Sequence, residues 1–244
     1  MKSVTFVLNT WQRPHTIKEQ MEAIGKQTIK PSEVMVWQNL PDDPSSAFYL
    51  QDETQSIKIA HNNFNYGVWA RFAFALNAKS DYICILDDDT IPGIKWTENC
   101  INSINEENGL YGTVGVIFND TDYQSFDRFG WPNPNEEKKQ VDIVGHSWFF
   151  HRDLLGAFWR ETGPPLNMIC GEDVHFAYSV QKYLGLNTYV PPHPKEDLEL
   201  WGSQPKSAME YGVDQNAISV NSNGIDFGKS LKHYYDKGFK LLNI

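Results

Sequence analysis

Long hydrophobic runs are missing from this sequence. No stretch approaches the roughly 20 apolar residues that a bilayer-spanning helix needs, so no transmembrane segment is expected. Cysteine is scarce: Cys84, Cys100 and Cys170 are odd in number and have neither disulfide-framework nor zinc spacing. That argues against a disulfide-stapled fold, fits a reducing compartment and leaves the three as small core residues. Dense basic blocks are lacking too. Lys and Arg number 21 against 31 Asp and Glu, and the net charge of −10 is spread along the chain, so neither nucleic acid nor an anionic membrane is the expected main partner. A phosphate-bearing ligand would have to be held locally, by a metal and a few placed basic residues. No internal repeat or low-complexity segment occurs, which sets aside solenoids and tandem arrays. Residues 3–8 are too short and too β-branched a run for the core of a signal peptide, and a cytoplasmic location is the expectation.

What is present is enough for a sizeable core: 244 residues, 41% hydrophobic and 14% aromatic, fit one large α/β domain or one and a half smaller ones. Residues 4–8 read as a strand, followed by a helix near Thr16 with Glu19 three residues on and Ile17, Met21 and Ile24 at helical spacing. Residues 33–39 and 56–60 are further strands, and 68–79 is a helix with Phe72, Ala75 and Leu76 inward. The alternation continues with a strand at 82–86, a helix at 95–107, strands at 112–118 and 141–150, helices at 152–159 and from 171 to about 183, and a strand at 186–190. Such an order predicts a sheet whose first half is parallel. Residues 119–139 are polar and aromatic and read as a long functional loop or small excursion, and a tail follows from Pro191, with a weak helical pattern over 226–239.

The chain is organised around Tyr82-Ile83-Cys84-Ile85-Leu86-Asp87-Asp88-Asp89. Five apolar residues in a row make a strand buried on both faces, and the three carboxylates fall where it emerges, the edge at which open α/β sheets bind ligands. Carboxylates about 4 Å apart repel by roughly 4 kcal/mol per pair at an effective dielectric of 20, so positive charge is expected beside them. A hard divalent cation meets that need, and a solvated acidic turn before Pro92-Gly93 is the alternative. Glu172 and Asp173 open a helix, where they complement its dipole or, facing the three aspartates, do acid/base work on a hydroxyl. Arg13 and Arg71 each follow a strand's polar end, placed either to meet a diphosphate or merely to lie at the surface. His193, among prolines, is a metal ligand or a structural histidine.

Together, Asn9-Thr10-Trp11-Gln12-Arg13, Val36-Trp37-Gln38-Asn39, the stretch from Asn62 to Arg71, Asp87-Asp88-Asp89, Gly145-His146-Ser147-Trp148-Phe149-Phe150 and Gly171-Glu172-Asp173 resemble glycosyltransferases of the GT-A fold. The middle part is similar to the inverting family 2 transferases. The order of the pieces resembles the exostosin-like N-acetylhexosaminyltransferase domain, which is retaining. The resemblance covers residues 3 to about 190 and implies an α/β fold, a mixed, mainly parallel sheet flanked by helices with a Rossmann-like nucleotide-binding half. One domain, 1–244, would comprise a nucleotide-sugar-binding half (1–118), an acceptor-side half (119–190) and a C-terminal tail (191–244). It also implies a nucleotide-sugar donor, usually a UDP-sugar, with Mn²⁺ or Mg²⁺ under its diphosphate, and a glycan or other hydroxyl acceptor. Carried over by position, Thr10, Arg13 and Asn39 line the base and phosphate pocket, and Asn65 and Arg71 lie near ribose, diphosphate or sugar. Asp87 and Asp88 contact ribose and sugar, and Asp89 is the main metal ligand, with Asp87 and His193 as further candidates. Glu172 or Asp173 faces sugar and acceptor; the basic residue expected near the end of the domain is Lys195 or Lys206. Trp131, Trp148 and Trp201 are candidates for stacking on acceptor sugars, or are packing residues.

Rival readings meet specific obstacles. A haloacid dehalogenase-type phosphatase wants Asp-x-Asp-x-Thr, and Ile91 stands where that threonine belongs. A sugar nucleotidyltransferase wants a glycine-rich basic loop after the first strand, and residues 9–14 contain no glycine. A non-catalytic carbohydrate-binding or scaffold domain that kept the fold remains as the alternative from another class.

Overall fold

The expected alternation of strand and helix organises the molecule, a computed structural model that describes residues 2–47, 50, 56–161, 163, 170–211, 217 and 225–244. In chain order the elements are β1 (Val4–Thr10), α1 (Thr16–Gly25), β2 (Glu33–Gln38), β3 (Ile57–His61), α2 (Ala70–Ala75), β4 (Tyr82–Leu86), α3 (Trp96–Glu106) and β5 (Gly109–Phe118). There follow β6 (Phe126–Gly130), β7 (Lys139–Val141), β8 (Ile143–His151), α4 (Leu154–Phe158), α5 (Glu172–Leu184), β9 (Asn187–Val190), α6 (Pro205–Tyr211) and α7 (Ile225–Asp236).

The strands form one mixed sheet in the order β3-β2-β1-β4-β8-β5-β9-β7, with β6 also on β5. From β3 to β4 it is parallel, as the helical crossovers require. At β8 the direction reverses: Ile83 lies opposite Phe150 and Leu86 opposite Ser147. Every residue of β4 is buried, and its side chains alternate between two layers. Ile83 and Ile85 join Phe72, Trp148, Phe158 and Phe176 under α2, α4 and α5. Tyr82, Cys84 and Leu86 join Ile17, Ile24, Trp96 and Cys100 under α1 and α3. Burying an aromatic or branched side chain of this size contributes about 1.5–3 kcal/mol, so β4 is anchored from both faces and its carboxyl end is a rigid place to carry charge. All three cysteines are buried and free.

Two expectations need correction, and one alternative is decided. The helix over 68–79 is shorter: after Ala75 the chain tightens into Phe74 O to Asn77 N and Ala75 O to Ala78 N turns, which rotate Leu76 outward to 57% exposure. Of the two readings of 119–139, loop or small excursion, the excursion holds: the segment contains β6 and the start of β7, and β6 pairs antiparallel with β5. The strand over 141–150 is two strands, broken where Asp142 turns its carboxylate to the Phe118 and Leu242 amides, each at 2.8 Å. The weak pattern over 226–239 does form a helix, because Leu231 and Tyr234 of α7 pack on Val174, Ala177 and Tyr178 of α5. Among the described residues no helix is long and apolar enough to cross a membrane.

Candidate active site

The carboxyl ends of β1 and β4, the start of β8 and the amino end of α5 surround a cavity of about 630 Å³. It is lined by Asp87, Asp88, Asp89, Glu172 and Asp173, with Arg13, Arg71 and Arg128 as the cationic counterparts. Five carboxylates against three guanidiniums leave a formal charge of −2 when all are ionised, the charge that one divalent cation neutralises.

Buried chemistry fixes the aspartate turn. Gln20 of α1 donates from Nε2 to the carbonyls of Asp87 at 2.6 Å and Thr90 at 3.0 Å, and the Asp87 amide donates to the His146 carbonyl at 3.0 Å. Each aspartate then meets a different partner. Asp87 pairs with Arg71, Asp88 accepts from Arg13 Nη1 at 2.7 Å, and Asp89 lies 3.7 Å from Arg13 and 4.0 Å from His146 Nδ1. Burial pushes the Asp88 carboxyl up to about 7, against the pull of Arg13.

Arg71 is the hub. Its side chain is 2% exposed, and it donates to Asn9 Oδ1 at 2.9 Å, to Glu172 Oε1 at 2.8 Å and to Asp87, with its guanidinium 4.5 Å from the centre of the Trp148 ring. Burial works against its charge, but Asp87 and Glu172 outweigh that and raise its pKa. Two carboxylates from opposite sides of the cavity are thereby locked to one side chain of α2.

Gly171 aims α5 at the cavity. Its φ of +90° lies in the left-handed region, and a Cβ there would stand 2.3 Å from Ser230 Oγ, so only glycine fits between α5 and α7. Burial raises the Glu172 carboxyl, with Arg71 opposing. Burial likewise pushes Asp173 up to about 6, against the Val174 amide that donates to its carboxylate at 2.7 Å. The two neighbours thus differ: Glu172 is tied to Arg71, whereas Asp173 faces the cavity without an ion pair among the described residues.

These pieces are those of one recognisable family. The family model described as glycosyl transferase family 2 matches residues 5–158. The chain belongs to glycosyl transferase family 2. Glycosyl transfer is the reaction class that this family is named for. No curated protein sequence matches the chain. Among solved structures, the crystal structure of TarS from S. aureus superposes with a TM-score of 0.51 at 15% identity, over 78% of this chain and 36% of that one. At that identity the likeness speaks for the fold, which is the GT-A arrangement; the chain spans about a third of the length of this neighbour.

The cavity gathers most of the residues named from sequence: Arg13, Asn39, Asn65, Arg71, the three aspartates, Glu172 and Asp173. Others lie elsewhere. Thr10 is buried outside the lining, and Asn9 and Trp11 reach the cavity instead, because a strand's side chains alternate. Arg71 does not offer a free guanidinium to a diphosphate, since two carboxylates already neutralise it. Asn39 Oδ1 is taken by Trp37 Nε1 at 2.8 Å and the Tyr66 amide at 3.1 Å, and Asn65 Oδ1 by the Gly67 amide at 2.9 Å.

His193, the metal-ligand candidate, lies outside the cavity lining. It is fully buried between Trp96 and Trp201, its Nδ1 lies 2.8 Å from the Pro191 carbonyl and its Nε2 accepts the Gly202 amide at 3.1 Å, so both nitrogens are spent. Lys195 and Lys206 are exposed and outside the cavity lining. Trp131, Trp148 and Trp201 are 7%, 1% and 3% exposed, too covered to be open stacking platforms. The sequence reading missed Asn9, His146 and the apolar wall of Val116, Tyr123, Phe126 and Phe227. His146 had a signal, the Gly145–Phe150 segment, but only the antiparallel register of β8 brings it beside the aspartates.

Among the described residues no three His, Cys, Asp or Glu side chains converge on a ready-made metal cage. A cation held by one or two protein ligands plus substrate phosphates does not need one. The residues fit such an ion: Asp89 faces the cavity, and the Nδ1 of His146 beside it is buried without a hydrogen-bond partner among the described residues.

Proposed function

We propose that the protein transfers a sugar from a nucleotide-sugar, a UDP-sugar, to a hydroxyl group of a carbohydrate or similar acceptor, with a divalent cation and with inversion at the anomeric carbon. The observation that carries it is that Asp173, uncommitted to an ion pair, and the Asp87-Asp88-Asp89 turn face one cavity, bridged by Arg71. Bound at Asp89, the cation would act as a Lewis acid on the diphosphate leaving group.

The chain's own residues do the rest. Asp173 takes the acceptor's hydroxyl proton as that oxygen attacks the anomeric carbon, and the bond from sugar to diphosphate oxygen breaks. Its pKa of about 6 leaves it ionised at neutral pH yet close enough to accept a proton in the transition state. Glu172 stays on Arg71 and holds the start of α5 in place. Asp87 and Asp88, fixed by the two arginines, are positioned to accept hydrogen bonds from ribose or sugar hydroxyls. Tyr123, Phe126 and Phe227 offer an apolar side to the cavity next to Asp173 and suit the face of an acceptor ring.

Thermal-shift or calorimetric binding of UDP, GDP and dTDP, each with and without Mn²⁺, tests the donor half. One nucleotide, UDP, should stabilise the protein only when metal is present; no effect of any nucleotide would return the chain to a non-catalytic carbohydrate-binding role. Asp173→Asn tests the chemistry. It should leave donor binding intact and lower transfer by about 10²–10⁴-fold, the usual worth of a general base. Normal turnover in that variant would remove Asp173 from the mechanism.

A further inference from the structure

His146 carries two penalties at one place. Its φ is +62°, in the left-handed region that is unfavourable for a residue with a Cβ. Its Nδ1 is buried with no hydrogen-bond partner among the described residues, so its desolvation goes unrepaid by any of them. Neither is accidental slack, because the residue is held firmly. Its carbonyl accepts the Asp87 amide at 3.0 Å and the Thr90 hydroxyl at 3.0 Å, and its ring packs against Trp131 with centroids 5.2 Å apart. Thr90 Oγ1 also lies 3.3 Å from Asp89 Oδ1, so one hydroxyl ties the histidine's backbone to the aspartate's carboxylate.

The orphaned nitrogen points at Asp89. Nδ1 and Asp89 Oδ1 are 4.0 Å apart, too far for a hydrogen bond. Two ligands each about 2.1 Å from one ion are at most about 4.2 Å apart, so a single cation can bridge the pair without moving either backbone. One cation there would give Nδ1 its partner and offset the negative balance that the arginines leave among the cavity's carboxylates.

We infer that His146 Nδ1 and Asp89 are the protein's two ligands to the divalent cation, and that the nitrogen ligand makes the site select Mn²⁺ over Mg²⁺; this rests on the cation-assisted transfer proposed above. Mg²⁺ prefers oxygen ligands and sheds water reluctantly, whereas imidazole is a ligand for first-row transition ions. The remaining coordination positions belong to the donor's diphosphate and water.

Electron paramagnetic resonance of bound Mn²⁺ tests the inference directly, with UDP, GDP and dTDP each added in turn. The wild-type complex should show echo modulation from a coordinated nitrogen together with modulation from phosphorus of the diphosphate. His146→Gly keeps the left-handed backbone at no steric cost. It should lose the nitrogen signal, retain the phosphorus signal, bind Mn²⁺ roughly tenfold or more weakly, as loss of even an outer-shell partner can cost, and no longer prefer Mn²⁺ to Mg²⁺. His146→Asn, also tolerant of positive φ, should likewise lose the nitrogen signal. Phosphorus modulation without nitrogen modulation in the wild type, or unchanged Mn²⁺ affinity and preference in both variants, overturns the role of His146 and leaves the metal-assisted donor site standing. Absence of both signals overturns the donor site as well.

Discussion

Replacing Arg71 by Met should be among the most damaging single changes in the protein, and the structure says how much. The guanidinium is buried and bonded to Asp87, Glu172 and Asn9. Removing one partner of a buried ion pair costs about 3–5 kcal/mol, because the other charge is left without water or counter-charge. Asp87 is the better placed survivor, its side chain being 27% exposed against 10% for Glu172. Glu172 therefore carries most of the loss. Its escape is to take up a proton, which at pH 7 costs about 3 kcal/mol relative to its ordinary value of 4.5. The sign follows: a carboxyl whose folded pKa is raised binds more protons folded than unfolded, so the variant's deficit should grow as pH rises from 5 to 7. Urea unfolding of wild type, Arg71→Met, Glu172→Gln and the double variant would measure it. At pH 7 the single Arg71→Met change should lower stability by about 3–5 kcal/mol, a Tm drop of roughly 6–20 °C for a chain of this size. Adding Glu172→Gln should restore about 1–3 kcal/mol, since it removes the stranded charge. A loss below about 1 kcal/mol, or strictly additive losses in the double variant, would refute a buried network centred on Arg71.

Two other changes report on the same architecture. His175 and His193 are held neutral by burial, each pushed down to about 4 from 6.5. Their contribution is complete above pH 6.5 and is lost as pH falls toward 4, worth about 3 kcal/mol each at the acid end. His193→Asn should consequently show a pH slope of stability between 6.5 and 4.5 that is shallower than wild type by up to about 1.4 kcal/mol per pH unit; equal slopes would mean that His193 titrates freely. Gly171→Ala forces a Cβ onto Ser230 at a φ of +90°. It should cost more than the roughly 1 kcal/mol of an ordinary glycine replacement and reduce transfer by displacing Asp173, whereas Gly171→Ala with Ser230→Gly should recover part of the stability; a silent Gly171→Ala would show that α5 can shift.

Much of the fold was legible because its signals are local. Five apolar residues before Asp87 leave no choice but a strand covered on both faces, and β4 is that strand. The helix and strand periods from β1 to α3 likewise repeat the expected βα order. What escaped depends on pairing at a distance. Nothing in residues 126–130 alone says that they lie against Val114–Phe118, and nothing in residues 141–150 marks the break that Asp142 makes by capping two distant amides. Leu76 was misplaced because a helical period was continued past the point where the chain must turn to enter β4.

The site divides along the same line. Carboxylates announce themselves in sequence, since a run of three behind a buried strand has few other uses; their counter-charges do not. Arg71 and Glu172 are 101 residues apart, and only the fold shows that they neutralise each other. In the mechanism proposed above that pairing gives both residues their parts: Arg71 is the strut that spaces the two acidic walls, and Glu172 leaves the base role to Asp173. His193 and His146 make the converse case. By sequence the first is the ligand candidate, yet both of its nitrogens serve neighbouring backbone, while the second, on a strand that reads as core, keeps a buried nitrogen 4.0 Å from Asp89 that has no hydrogen-bond partner among the described residues. Which histidine can hold an ion is decided by where its lone pair is already spent, and that is a property of the packed structure.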